Sequence, residues 1–197
     1  MELKVNGQKL DVTLEGESSV GDVLKSFEAE ASKNDATTIG ITLDGKAVPP
    51  ESFNEILTKP ITDSTVIDLQ VISKIEILTA LQVSSQKFKE ISPKLSEIPV
   101  LLQSGKDGEA NSIINNLAAE IDNFCHTATL SALFPDLYNQ IKIENMDMAS
   151  FFEDFTPVLS DFEQSLSAKD TVTVGDLAEY EIGPRLEKLT VAISAIK

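Results

Sequence analysis

The chain has 197 residues, 42% of them apolar and 24% charged, with 32 acidic against 16 basic side chains and a net charge of −16. That length holds one large domain or two small ones, and the apolar share is enough for a packed core. The charge disfavours nucleic acid or an anionic membrane as the main partner, because phosphate repels a surface this negative.

The acidic excess is no detachable tail: residues 1–74 carry 13 acidic and 7 basic side chains, and residues 75–197 carry 19 and 9. Such a surface keeps a chain in solution and suits a basic partner. Cys125 is the single cysteine, so no intrachain disulfide can form and a reducing compartment is expected. The opening Met1 to Gly7 has neither the basic nor the apolar region of a signal peptide. No apolar run approaches the ~18 residues of a membrane span. The expected location is cytoplasmic.

In chain order, Leu3 and Val5, then Leu10, Val12 and Leu14, alternate with polar residues, the period of half-buried strands. Asn6-Gly7 between them tolerates the positive φ of a tight turn, so a β-hairpin is predicted. Ser19 with Asp22 three residues on reads as a helix start, and Val20, Leu24, Phe27 and Ala31 carry a helix to about Ser32. Ile39, Ile41 and Leu43 alternate again up to Asp44-Gly45, a second turn signal. Pro49-Pro50 then stops regular pairing. A short helical turn over Ser52 to Leu57 should point Phe53, Ile56 and Leu57 inward. Val66 to Ile72 reads as a central strand covered on both faces.

Just past Lys74 the period changes. Ile77, Leu81, Ser84, Phe88, Ile91, Leu95, Ile98 and Leu102 step by threes and fours, and the phase survives Pro93 and Pro99. One bent helix up to Gln103 is expected. A second helix starts near Glu109 along Ile113, Ile114, Leu117, Ile121, Phe124 and Cys125, and continues through a kink at Pro135 to Ile141. After a turn at Glu144-Asn145, a third follows Met148, Phe151, Phe152, Phe155, Phe162 and Leu166. A fourth, capped at Thr173, runs through Tyr180, Leu186, Leu189 and Ile193, bent near Gly183-Pro184. The expected fold class is α+β: a sheet module over 1–74, then an antiparallel four-helix bundle over 75–197.

The order strand, strand, helix, strand, short turn, strand, with Asn6-Gly7 and Asp44-Gly45-Lys46 at its turns, resembles the ubiquitin-like or β-grasp fold. Conjugated members and sulfur carriers of that superfamily act through an exposed C-terminal Gly-Gly. Here the matching strand ends at Ile72-Ser73-Lys74 and continues into helix, so the resemblance implies a binding module instead. The helical part, acidic and of this size, resembles bacterial export chaperones and regulatory adaptors.

Motifs for chemistry are sparse. Cys125 and His126 are adjacent, hence about 100° apart on a helix, and cannot easily share a metal or form a nucleophilic pair. Asp122 and His126 share a face, but a lone carboxylate–imidazole pair is the mark of a surface ion pair. Cys125 lies on the apolar stripe and is expected to be buried and inert. No phosphate-binding glycine loop, zinc-ligand spacing or nucleophile elbow occurs. No catalytic, cofactor-binding or metal-ligating residue is therefore expected, and the chain is read as a non-enzymatic protein–protein interaction module, adaptor or chaperone-like. Its partner would be another protein, basic or presenting an amphipathic helix. The candidate surface is Phe151, Phe152 and Phe155 framed by Glu153 and Asp154, together with Tyr180 between Glu179 and Glu181. Two further readings are a small-ligand-binding protein or enzyme with a pocket between sheet and helices, and a structural or self-assembling protein.

Overall fold

The computed structural model describes residues 1–196 and divides the chain into two compact units, Met1–Glu76 and Ile77–Lys197. The first holds strands β1 (Glu2–Val5), β2 (Gln8–Leu10), β3 (Ala36–Leu43), β4 (Lys46–Ala47) and β5 (Val66–Ser73), with helices α1 (Val20–Lys33) and α2 (Phe53–Leu57). They form one sheet in the order β2-β1-β5-β3-β4, in which β1 runs parallel to β5 and the other pairs are antiparallel.

Local chemistry sets this unit's corners. Asn6 and Gly7 take φ of 51° and 78°, as do Asp44 and Gly45, the left-handed pair that a two-residue hairpin turn requires. The Asn6 carboxamide also extends the sheet: its Oδ1 accepts from the Val71 amide at 2.9 Å and its Nδ2 donates to the Val71 carbonyl at 3.1 Å. Ser19 caps α1 reciprocally with Asp22, each side chain bonding the other's backbone amide. Leu3, Val20, Val23, Leu24, Leu43, Ile56, Ile67 and Leu69 make the core.

Three expectations need correction in this unit. The second strand stops at Leu10 instead of running to Leu14. The register Leu3↔Leu10 would next set Glu2 opposite Asp11, two carboxylates facing each other across a ladder. Strand β5 is central but covered on one face only, with Ile67 and Leu69 fully buried while Asp68 is half-buried and Gln70 exposed. Of the short turn's three residues only Ile56 is buried; Leu57 is half-buried and Phe53 stands exposed.

The second unit is helical: α3 (Lys74–Leu95, its first residues belonging to the first unit), α4 (Ile98–Gln103), α5 (Asp107–Ser131), α6 (Pro135–Tyr138), α7 (Met148–Ala168), α8 (Thr171–Asp176) and α9 (Gly183–Ser194). A π-helical turn, Leu177–Ile182, joins α8 to α9. The single bent helix expected up to Gln103 is broken at Ser96-Glu97. Pro93 sits on the exposed side two residues before α3 ends, and Pro99 occupies the first turn of α4, where a missing N–H costs nothing. Likewise Pro135 opens α6 and does not kink a longer helix, and Leu133 is exposed. The fourth stretch is capped by Asp170, whose carboxylate accepts from the Thr173 amide at 3.1 Å, and not by Thr173.

Contacts between the long helical stretches close a ring. Phe88 on α3 meets Phe124 on α5 edge to face at 5.7 Å, and Phe124 meets Phe152 on α7 at 5.9 Å. Asp154 on α7 accepts from Arg185 Nε on α9 at 2.9 Å. Ser85 on α3 donates to the Thr190 carbonyl on α9 at 3.4 Å.

Asp22, Asp147 and Asp170 each hold a helix start: Asp147 and Asp170 accept from an amide of the first turn, and Asp22, itself in the first turn of α1, accepts from the Ser18 and Ser19 amides just before it. Each is held below the ordinary 3.8, chiefly by the Ser18 amide for Asp22, the Ser150 amide for Asp147 and the Thr173 hydroxyl for Asp170. A folded value below the unfolded one stabilises above the unfolded value and is lost as pH falls through the folded one. Melts from pH 7 to pH 3 should therefore fall more steeply for the native chain than for the triple variant D22N/D147N/D170N. Equal slopes would contradict this account of the caps.

Candidate functional site

A groove in the helical unit is the strongest candidate. One wall is the C-terminal half of α3, with Phe88, Lys89, Ser92, Pro93 and Leu95, and Ser96 just past its end; the other is the π-helical turn and α9, and the cavity measures about 620 Å³. The second wall has an identifiable cause. Pro184 has no N–H to give the Tyr180 carbonyl and its ring would crowd it, so the preceding turn widens. The Gly183 amide instead reaches five residues back to Ala178. A Cβ on Gly183 would lie 3.3 Å from the Ala178 carbonyl oxygen and 3.7 Å from Ser92 Oγ, so a hydrogen there lets the two walls approach.

The floor is apolar and the rim is charged. Phe88, Leu95 and Ala178 are buried in it, while Val191 on its edge is 70% exposed. Glu179 and Glu187 supply negative charge and Lys89 one positive. Tyr180, 64% exposed, follows Glu179, whose carboxylate pushes the phenol above its ordinary value. Arg185, next to Pro184 in sequence, pairs with Asp154 and Glu181. Burial opposes its charge, but those two carboxylates outweigh burial and raise it.

The structure separates the residues expected to form one surface. Phe151 and Phe155 are buried, and Phe152 is half-buried between Phe124 and Phe151. The three rings pack within the helical unit instead of standing together as one exposed surface, Phe152 against Phe124 of α5 and Phe151 against Phe152 and Phe155. Glu153 and Asp154 on the opposite side of α7 are exposed, and Asp154 is tied to Arg185. Tyr180 and Glu179 are exposed, and Glu181 is half-buried against Arg185.

Cys125 is half-buried instead of fully buried. Burial, and then the charge of Asp122, raises its thiol, which leaves it a poor nucleophile. His126 and Asp122 are exposed. Among the described residues no three His, Cys, Asp or Glu side chains gather as metal ligands, and no helix is long and apolar enough to cross a membrane.

Sequence reasoning missed Glu120. Its side chain is 4% exposed and pairs with Lys87 on α3 at 2.8 Å, while its second oxygen, Oε1, meets no hydrogen-bond donor. The signal was there: Glu120 lies three residues after Leu117 and four before Phe124, on the buried stripe.

Residues 79–191, more than half of the chain, match the family described as a domain of unknown function (DUF8042), and the chain belongs to that family. Residues 1–73 match the TP0873 N-terminal domain. A relative from Treponema pallidum (strain Nichols), carried as an uncharacterized protein, is 25% identical over 193 residues, covering 98% of this chain and 96% of its own. No solved structure matches.

Proposed function

We propose that this chain is a non-enzymatic, cytoplasmic protein–protein interaction module, adaptor or chaperone-like, built from a ubiquitin-like sheet unit and a four-helix bundle. The sheet reading rests on the strand order β2-β1-β5-β3-β4 with β1 parallel to β5 and a helix after β2. The bundle reading rests on the closed ring of contacts among α3, α5, α7 and α9. The function rests on one observation: a groove with an apolar floor, two carboxylates, Glu179 and Glu187, on its rim, and one large exposed apolar side chain, Val191, at its edge. An amphipathic helix would lay its apolar face over Val191 and Pro184 and set basic residues against Glu179 and Glu187. Nucleic acid and anionic membrane meet repulsion from the same charge.

A photoreactive phenylalanine analogue tests this reading from inside cells. Placed at Val191, on the groove's edge, it should form a discrete adduct with a partner protein. Placed at Val172, 66% exposed but outside the groove, it should not. No adduct from position 191, or the same adduct from both positions, would contradict the proposal.

A further inference from the structure

Leu10 ends β2, and Val12 and Leu14 beyond it keep a strand's pattern without a strand's partner. Leu10, Val12 and Leu14 are 41%, 43% and 42% exposed, and all three line an apolar groove of about 430 Å³ beside Leu3, Val23 and Phe27. Strand β2 is one of the two edge strands of the sheet. An open edge followed by alternating apolar residues is an association hazard unless something covers it. We propose that it is covered by the same edge of a second copy of this chain, antiparallel, with Val12 opposite Val12.

The backbone selects the register. On β1 the amides of Glu2 and Asn6 point to β5, donating to the Thr65 and Leu69 carbonyls. Leu3 and Val5 therefore turn toward β2, and their partners Leu10 and Gln8 turn back toward β1. Lys9 presents its N–H and C=O outward, and the odd-numbered residues 11, 13 and 15, which lie beyond the strand in the single chain, would do the same once a second copy extends it. A second copy can bond only odd residue to odd residue, so the numbers of facing residues sum to an even value. A sum of 22 sets Asp11 against Asp11, which like charges oppose. A sum of 20 sets Val12 against Gln8 and strands Leu14 beside the Asn6 turn.

A sum of 24 satisfies every position. Leu10 faces Leu14, Val12 faces Val12, and Leu14 faces Leu10 on the groove side. Lys9 faces Glu15 and Asp11 faces Thr13 on the other. Lys9 is available for this, since its contact with Glu2 is a long 3.9 Å and its side chain is 64% exposed. The Glu15 amide, held at 2.8 Å by the Glu17 carboxylate in the single chain, exchanges that partner for Lys9 of the other copy. The contact is isologous and closes at two copies, with the two α1 helices on one face of a continuous sheet.

Charge swapping on the full chain tests this. Sedimentation equilibrium should show the native chain passing from one copy to two with rising concentration. Lys9→Glu or Glu15→Lys alone should weaken that association by about tenfold, through like charges at both ends of the pair. Mixing K9E with E15K should restore it, since each copy then offers the charge the other lacks; the double variant K9E/E15K should also associate. Circular dichroism confirms that each variant is folded. A native chain that remains single throughout, an association indifferent to both substitutions, or a mixture that stays single would each overturn the proposal, the first also being the outcome if an unrelated peptide is what covers this edge.

Discussion

Replacing Phe124 by alanine should cost the helical unit about 3–5 kcal/mol, the usual penalty for deleting a fully buried aromatic ring. Phe124 is 1% exposed and touches Phe88 on one neighbouring helix and Phe152 on another. Its loss parts Phe88 from a run of rings that continues from Phe152 through Phe151 to Phe155, the last pair 5.5 Å apart. A cavity there touches three helices, so no single side-chain shift fills it. Urea unfolding followed by helical circular dichroism gives the measurement. Phe53→Ala is the control, because Phe53 is 42% exposed, and should cost no more than about 1 kcal/mol. If F124A cost no more than F53A, these rings would not be the core of the helical unit.

The ion pair between Lys87 and Glu120 should respond asymmetrically to substitution. Lys87 is half exposed at its side chain, while Glu120 is almost wholly buried with one oxygen unpartnered. Removing the lysine as Lys87→Met leaves a buried carboxylate with no compensating charge. A fully buried broken pair costs about 3–5 kcal/mol, and the partial exposure of this one brings the expected loss to about 1–3 kcal/mol. Removing the glutamate as Glu120→Leu leaves a lysine that reaches water, and it relieves the desolvation of the acid. That variant should match or exceed the native stability, and K87M/E120L should recover what K87M alone lost. Equal losses from K87M and E120L would show that the acid contributes through attraction and not at a desolvation cost.

Local chemistry was legible in the sequence and distant chemistry was not. Asn6-Gly7, Asp44-Gly45 and the Ser19–Asp22 cap depend on two to four consecutive residues, and each forms the turn or helix start its spacing predicts. The end of β2 depends on what lies across the sheet, Glu2 opposite Asp11, which no reading of residues 8–14 alone reveals. The break at Ser96-Glu97 escaped notice because the apolar phase of α3 continues into α4 across it. The helical spacing of Phe151, Phe152 and Phe155 was plain, but spacing alone does not say whether a stripe meets another helix or solvent. Gly183-Pro184 was visible as a bend, whereas the groove beside it depends on the approach of Ser92 from α3.

The direct measurement of the account is a titration of isotope-labelled full chain with a synthetic helical peptide, leucine on one face and lysine on the other. The amide signals of Ser92, Ser96, Glu179, Glu187 and Val191 should move together and saturate, and E179Q/E187Q should weaken the binding. Signals that do not move, or that move on the Asp122 and His126 face of α5 while the groove stays still, would contradict it.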